Sequence, residues 1–145
     1  MKLRNKNHWT FIEAPRVLLV EDHDILAKAT ADLLRTEGLE VQIASTGGQA
    51  LASVGTFRPD IILCDLNLPD MAGVDVARDL RKSLITTDAL FVIHTAFRDA
   101  DLEGIDIPFF DLSLSKPLTR EKIETLLDWL QQSHRPKKKA DILVF

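Results

Sequence analysis

Two apolar runs in this 145-residue chain end in carboxylates: residues 17–20 lead into Glu21 and Asp22, and the run 61–65 closes on Asp65. Like charges at the ends of buried strands repel one another and are costly to desolvate, so they persist most naturally where a cation or a reaction requires them. These residue types point to a divalent-metal site around a reactive aspartate. Two more strand candidates lead into complementary groups, the apolar run 90–94 into Thr95 and the stretch 112–115 into Lys116. Carboxylate oxygens and a backbone carbonyl suit Mg²⁺, a hard cation that keeps several waters. An ammonium and a hydroxyl suit phosphoryl oxygens, and the metal neutralises charge during in-line transfer. Phosphorylation of an aspartate is the chemistry this set predicts.

For residues so far apart in sequence to meet, the elements carrying them must form one parallel sheet. The branched run 17–20 suits a strand buried on both faces. Ile25, Leu26, Ala29, Leu33 and Leu34 then recur at helical spacing, and Gly38 offers a stop. A strand is expected over 40–44, and Gly47-Gly48 opens a helix over 49–54 that ends near Gly55. After the central strand 61–65, Leu66-Asn67-Leu68-Pro69-Asp70 reads as a loop. Val74, Val76, Ala77, Leu80 and Leu84 mark the next helix. Strands at 90–94 and 112–115 follow, and the last helix spans 118–132 with Thr119 as N-cap and Glu121 and Glu124 in its first turns. Between Thr95 and Leu112, alternation calls for a helix started by Asp99, Ala100, Asp101, Leu102 and Glu103. Gly104 and Pro108 would cut it short, with Phe109 and Phe110 packing nearby. Five strands alternating with helices give a doubly wound α/β sandwich covered on both faces. Ligands bind such sheets at the carboxyl ends of the strands, which gathers Glu21, Asp22, Asp65, Thr95 and Lys116 around one pocket.

Composition bounds the rest. The formal charge is -4, from 22 acidic and 18 basic residues, which gives the molecule no nucleic-acid character. Hydrophobic residues make up 46% of the chain, enough for one core. The single Cys64 lies in an apolar run and suits a reducing compartment. No apolar stretch approaches the roughly 20 residues that span a bilayer, and the basic N-terminus lacks the apolar core of a signal peptide. A cytoplasmic protein without direct membrane or nucleic-acid contact is expected. Residues 1–15 read as an N-terminal extension or linker, 16–132 as the domain and 133–145 as a basic tail, with Arg135, Lys137, Lys138 and Lys139 as solvated charges. His8-Trp9-Thr10-Phe11 reads as a linker remnant or docking segment, and the apolar end 142–145 suits a sheet edge or a neighbour. Asp70 reads as a loop residue, Asp75 as a solvated helix residue and His23 as a loop or helix-entry residue. His94 reads as a packed strand residue, and Trp129 as core or edge packing.

Four motifs together carry a resemblance: Val-Leu-Leu-Val-Glu-Asp-His at 17–23, Pro-Asp-Ile-Ile-Leu-Cys-Asp-Leu-Asn-Leu-Pro-Asp-Met-Ala-Gly at 59–73, His-Thr-Ala at 94–96 and Ser-Lys-Pro at 115–117. In this order they resemble the receiver domain of response regulators in two-component phosphorelay signalling, over residues 16–132. The resemblance implies a flavodoxin-like, five-stranded parallel sheet in the order 2-1-3-4-5, with Asp65 as phosphoacceptor. It implies that Asp22 binds Mg²⁺ directly, Glu21 mainly through water and Asn67 by its backbone carbonyl. Thr95 would hydrogen-bond the phosphoryl oxygens, Lys116 would pair with them, and the Lys116-Pro117 bond would be cis. The implied partners are a histidine kinase or histidine phosphotransfer protein and a downstream protein that the sequence does not name. The implied role is a signalling phosphoacceptor rather than a turnover enzyme, either as a single-domain regulator or as the receiver part of a hybrid sensor kinase. In the hybrid case it would lie at the cytoplasmic face of the membrane.

One position departs from the family: Ser113 stands where a Tyr or Phe usually rotates inward as the threonine moves. The expectation is therefore a signal carried by loop order or docking more than by dimerisation through the fifth strand and its flanking helices. Phe97, two residues after Thr95, is expected to slow hydrolysis of the phosphoryl group. Two other classes compete. A phosphatase of the haloacid dehalogenase type also forms aspartyl phosphate after a strand, but it wants a second Asp two residues on, where this chain has Asn67. A phosphorylation-independent pseudo-receiver is expected only where acidic or lysine positions are lost, and here all are present.

Overall fold

The computed structural model describes residues 11, 13–96, 107–132 and 143–144. In chain order the elements are β1 (Arg16–Val20), α1 (Asp24–Thr36), β2 (Glu40–Ala44), α2 (Gly47–Phe57), β3 (Ile61–Cys64), α3 (Gly73–Arg81), β4 (Leu90–Thr95), β5 (Leu112–Ser115), α4 (Arg120–Gln132) and β6 (Leu143–Val144). The sheet order is β2-β1-β3-β4-β5-β6 and every pairing is parallel. The five strands expected from the sequence stand in the expected order. The apolar end of the chain adds a sixth, with Leu143 opposite Leu112 and Val144 opposite Ser113. The helix expected within 97–106, Phe97 itself, the basic cluster 135–139 and residues 8–10 lie outside the described residues.

Strand alternation explains the two cores. Val17, Leu19, Ile61, Leu63, Val92 and Leu114 point to one face, against Ala27, Ala31 and Leu34 of α1 and Ile123, Leu126 and Leu127 of α4. Their neighbours Leu18, Val20, Ile62, Cys64, Phe91 and Ile93 point to the other, against Ala50 and Val54 of α2 and Val76, Ala77 and Leu80 of α3. Both faces of β1, β3 and β4 are buried, so these strands carry nearly unbroken apolar runs, whereas edge strand β2 is partly exposed and β5 alternates Leu and Ser. Phe11 and Trp129 pack at the margin of the α1/α4 core, and Phe110 is buried on the α2/α3 side.

Helix ends follow local chemistry. His23 caps α1 by accepting from Leu26 N–H, Thr46 caps α2 by accepting from Gln49 N–H, and Thr119 accepts from Lys122 N–H at the start of α4. Gly38, at φ 94°, reverses the chain after α1. The carboxyl ends of two helices differ from the sequence expectation. Helix α2 runs through Gly55 to Phe57 before Arg58 turns left-handed at φ 55°. An interior glycine costs a helix only about 1 kcal/mol, and burial of Ala50 and Val54 along α2 outweighs it. Helix α3 stops at Arg81, so Leu84 lies outside it and is exposed. Buried Thr86 folds the chain back there, its hydroxyl donating to Leu80 O at 2.5 Å.

The amino-terminal edge of β4 and β5 is closed by a partly buried ion pair. Arg81 donates to Asp111 at 2.9 Å, to Phe109 O at 3.0 Å and to Thr87 O at 3.1 Å, and its guanidinium lies over the Phe91 ring. Asp111 also accepts from Phe91 N–H at 2.9 Å.

Candidate functional site

At the opposite edge of the sheet, each site residue that follows a strand is held by one more rung of the parallel ladder. Glu21 N–H donates to Ala44 O, Asp65 N–H to Val20 O and Lys116 N–H to Thr95 O, at 3.0, 3.1 and 2.7 Å. The side chains therefore leave from backbone fixed by the sheet rather than from loose loops. β1 lies between β2 and β3, and the chain direction of winding reverses there. Glu21, Asp22 and Asp65 sit at that switch point, where a doubly wound sheet opens a crevice.

The three carboxylates each place an oxygen within 4.8 Å of the others. Lys116 Nζ spans two of them, donating to Glu21 Oε1 at 2.5 Å and to Asp65 Oδ2 at 2.7 Å. Burial pulls this ammonium toward deprotonation, but its hydrogen bonds and attraction to Asp65 and Glu21 outweigh that and hold its pKa above the ordinary lysine value. Glu21 is buried, and its second oxygen accepts from His23 N–H at 3.2 Å. Asp22 is exposed at the mouth of the crevice. Asp65 Oδ1 accepts from Asn67 N–H at 3.2 Å. Thr95 is buried at the end of β4, beside Ser115 in the register. Among the described residues, three anions around one cation leave the cluster short of positive charge. Oxygen donors with a charge deficit are the donor set of a hard divalent cation.

The loop after Asp65 is closed on itself by an Asn67–Ala72 bridge and by Gly73 N–H donating to Leu66 O at 2.7 Å. A Cβ on Gly73 would fall 2.1 Å from Asp65 O, so only glycine lets α3 start against the site. Asp70, which the sequence offers as an ordinary loop residue, accepts from Gly48 N–H at 2.9 Å and Gly47 N–H at 2.8 Å. Those two backbone bonds lower its pKa and tie the loop to the start of α2. Lys122, given no part by the sequence reading, donates to Ser115 O, Ser115 Oγ and Pro117 O. Its position three residues after the N-cap Thr119 is the signal that would have found it, since that position faces the chain entering the helix. The Lys116-Pro117 bond is cis. His94 is buried, and its pKa is pushed down to about 4 by burial and then by Lys116 and Lys122, against an upward pull from Asp65. Cys64 is buried, and burial followed by the charges of Asp65 and Glu21 pushes its thiol up to about 12, which keeps it protonated and inert. Ser113 is buried, and its hydroxyl has no hydrogen-bond partner among the described residues.

The model of the response regulator receiver domain matches residues 17–128. The chain belongs to that family. Receiver domains are the phosphoacceptor modules of two-component signalling rather than classical enzymes, and this chain is one of them. It is 46% identical over 66 residues to the DNA-binding response regulator MtrA of Mycolicibacterium smegmatis, covering 46% of this chain and 29% of that protein. With the sensory transduction protein RegX3 of Mycobacterium tuberculosis it shares 39% identity over 89 residues, covering 61% of this chain and 37% of RegX3. The match thus spans well under half of these relatives' own lengths. Among solved structures, a CheY-like receiver domain from Methylobacillus flagellatus superposes with a TM-score of 0.72 at 26% identity, over 81% of this chain and 99% of that one. The receiver domain of a Pseudomonas aeruginosa sensor histidine kinase, described with a magnesium ion coordinated in its active-site cleft, gives 0.69 at 26% identity, over 83% and 99%. No helix among the described residues is long and apolar enough to cross a membrane.

Proposed function

We propose that Asp65 is the residue phosphorylated in this receiver, and that a phosphohistidine on a histidine kinase or histidine phosphotransfer protein is the donor. A carboxylate oxygen of Asp65 attacks the phosphorus, the O–P bond forms as the P–N bond breaks, and the imidazole nitrogen keeps the electron pair. The observation that carries this reading is the Lys116 ammonium bridging Glu21 and Asp65 at 2.5 and 2.7 Å in a cluster whose described residues carry surplus negative charge. Glu21, Asp22, Asp65 and the Asn67 carbonyl would hold Mg²⁺. When bound, the metal supplies charge neutralisation at the phosphoryl oxygens.

The chain's own residues do the rest. Lys116, released from the carboxylates, pairs as an ammonium with a phosphoryl oxygen. Thr95 donates its hydroxyl to a second oxygen. Asn67 N–H holds one Asp65 oxygen, which orients the carboxylate for attack. Ser113 leaves no aromatic side chain to follow the movement of Thr95, so the signal passes to a protein partner by docking and loop order. The free, buried Cys64 suits a reducing, cytoplasmic setting.

The test is incubation with Mg²⁺ and acetyl phosphate, followed by intact mass. The wild type is expected to gain one phosphoryl group, and Asp65→Ala to gain none. Full labelling of the Asp65→Ala protein would reject the assignment.

A further inference from the structure

We propose that Lys122 is a positioning residue for Lys116, gripping the chain on both sides of it. Its ammonium donates to Ser115 O at 2.7 Å, to Ser115 Oγ at 3.0 Å and to Pro117 O at 3.1 Å. A lysine has three donors, and all three are used on the residues flanking Lys116. Lys116 itself is tied below by its N–H to Thr95 O at 2.7 Å. Between those ties its side chain reaches across the crevice to Glu21 and Asp65.

The location of Lys122 makes a surface tether an incomplete account. It sits in the first turn of α4, three residues after the cap, where the helix dipole disfavours a cation and an acidic residue is the usual occupant. The three oxygens offset that placement. Helix α4 thereby holds the turn from which the phosphate-pairing ammonium extends, and a shift of α4 is transmitted to the site through one side chain. This inference rests on the reading of Lys116 as the partner of the phosphoryl group.

The experiment compares wild type, Lys122→Met, Lys122→Arg and Ser115→Ala as full chains, each checked for folding by circular dichroism. Three quantities are measured: amide exchange of Lys116 without ligand, affinity for Mg²⁺ alone, and affinity for beryllofluoride at saturating Mg²⁺. For Lys122→Met, Lys116 exchange is expected to rise and beryllofluoride affinity to fall, each by about tenfold, as loss of charge-assisted bonds implies. Affinity for Mg²⁺ alone should stay within about twofold, because the carboxylates hang from β1 and β3. Arginine should restore most of the beryllofluoride affinity, and Ser115→Ala, which removes one of three bonds, should cost about twofold to threefold. Faster exchange at Lys116 with unchanged beryllofluoride affinity would overturn the proposal and leave Lys122 as a tether. If Lys122→Met fails to fold, Ser115→Ala decides, and an unchanged beryllofluoride affinity there overturns the proposal. If the wild type binds Mg²⁺ but not beryllofluoride, the reading of the site falls first and the role of Lys122 falls with it.

Discussion

The sheet carries a buried ionic cluster at each end, and they are built on opposite principles. At the amino-terminal edge, Arg81 and Asp111 form a one-to-one pair, with further hydrogen bonds from Arg81 to Phe109 O and Thr87 O and from Phe91 N–H to Asp111. At the carboxyl-terminal edge, Lys116 is the one cation among the described residues that faces Glu21, Asp65 and the nearby Asp22. The first cluster is balanced and locks α3 to β4 and the entry of β5. The second is left short of positive charge, which folding by itself does not favour. Burial of charge is common to both, so burial does not mark function. Imbalance does, because an unmet charge is what an incoming ion or phosphoryl group can satisfy.

Removing one partner of the balanced cluster gives the largest expected effect. Asp111→Ala strands the Arg81 guanidinium and should lower unfolding free energy by about 3–5 kcal/mol in urea titrations. Combining Arg81→Met with Asp111→Leu should recover most of that loss. If Asp111→Ala unfolds with the wild-type midpoint, the pair is not the lock described here.

His94 gives the next effect, through pH. Its folded pKa of about 4 lies below the ordinary histidine value of roughly 6.5, so the folded state binds fewer protons than the unfolded one between those limits. The associated stability is present above pH 6.5 and is lost as pH falls toward 4, by about 3 kcal/mol in all. Urea midpoints taken at steps from pH 7 to 4 should show this slope in the wild type and a shallower one in His94→Leu. Equal slopes would mean that other groups set the acid sensitivity.

The smallest effect sharpens the unbalanced cluster. Asp22→Asn removes one repelling charge at an exposed position and should stabilise the metal-free protein by about 0.5–1 kcal/mol. Mg²⁺ at about 100 times its Kd should add roughly 2.7 kcal/mol to the wild type and much less to the variant at the same concentration. A variant that gains as much from Mg²⁺ as the wild type would take Asp22 out of the metal site.

Strands β1, β3 and β4 were legible because each is a short apolar run buried on both faces, and the start of α4 because Thr119 caps it with its own side chain. Helix ends were less legible. Leu84 continues the apolar spacing of α3, but burial of the Thr86 hydroxyl against Leu80 O turns the chain first. The end of α2 was set by Arg58 taking a left-handed turn that no glycine announces. Asp70 and Lys122 look like ordinary surface residues in sequence because most of their partners are backbone groups, which have no letter in a sequence.

The sequence by itself determined the placement of Glu21, Asp22, Asp65, Thr95 and Lys116 at one edge, since a parallel sheet leaves a single edge for all strand carboxyl ends, while the strand order came from the motifs' resemblance to receiver domains. Only the tertiary structure decided which carboxylates Lys116 bridges, that Lys122 grips the turn around it, and that the chain's end adds a sixth strand beside Ser113. Those outcomes depend on distances between segments far apart in the chain. Periodicity and composition encode which face a residue takes, but not the few ångströms that determine which charge it meets.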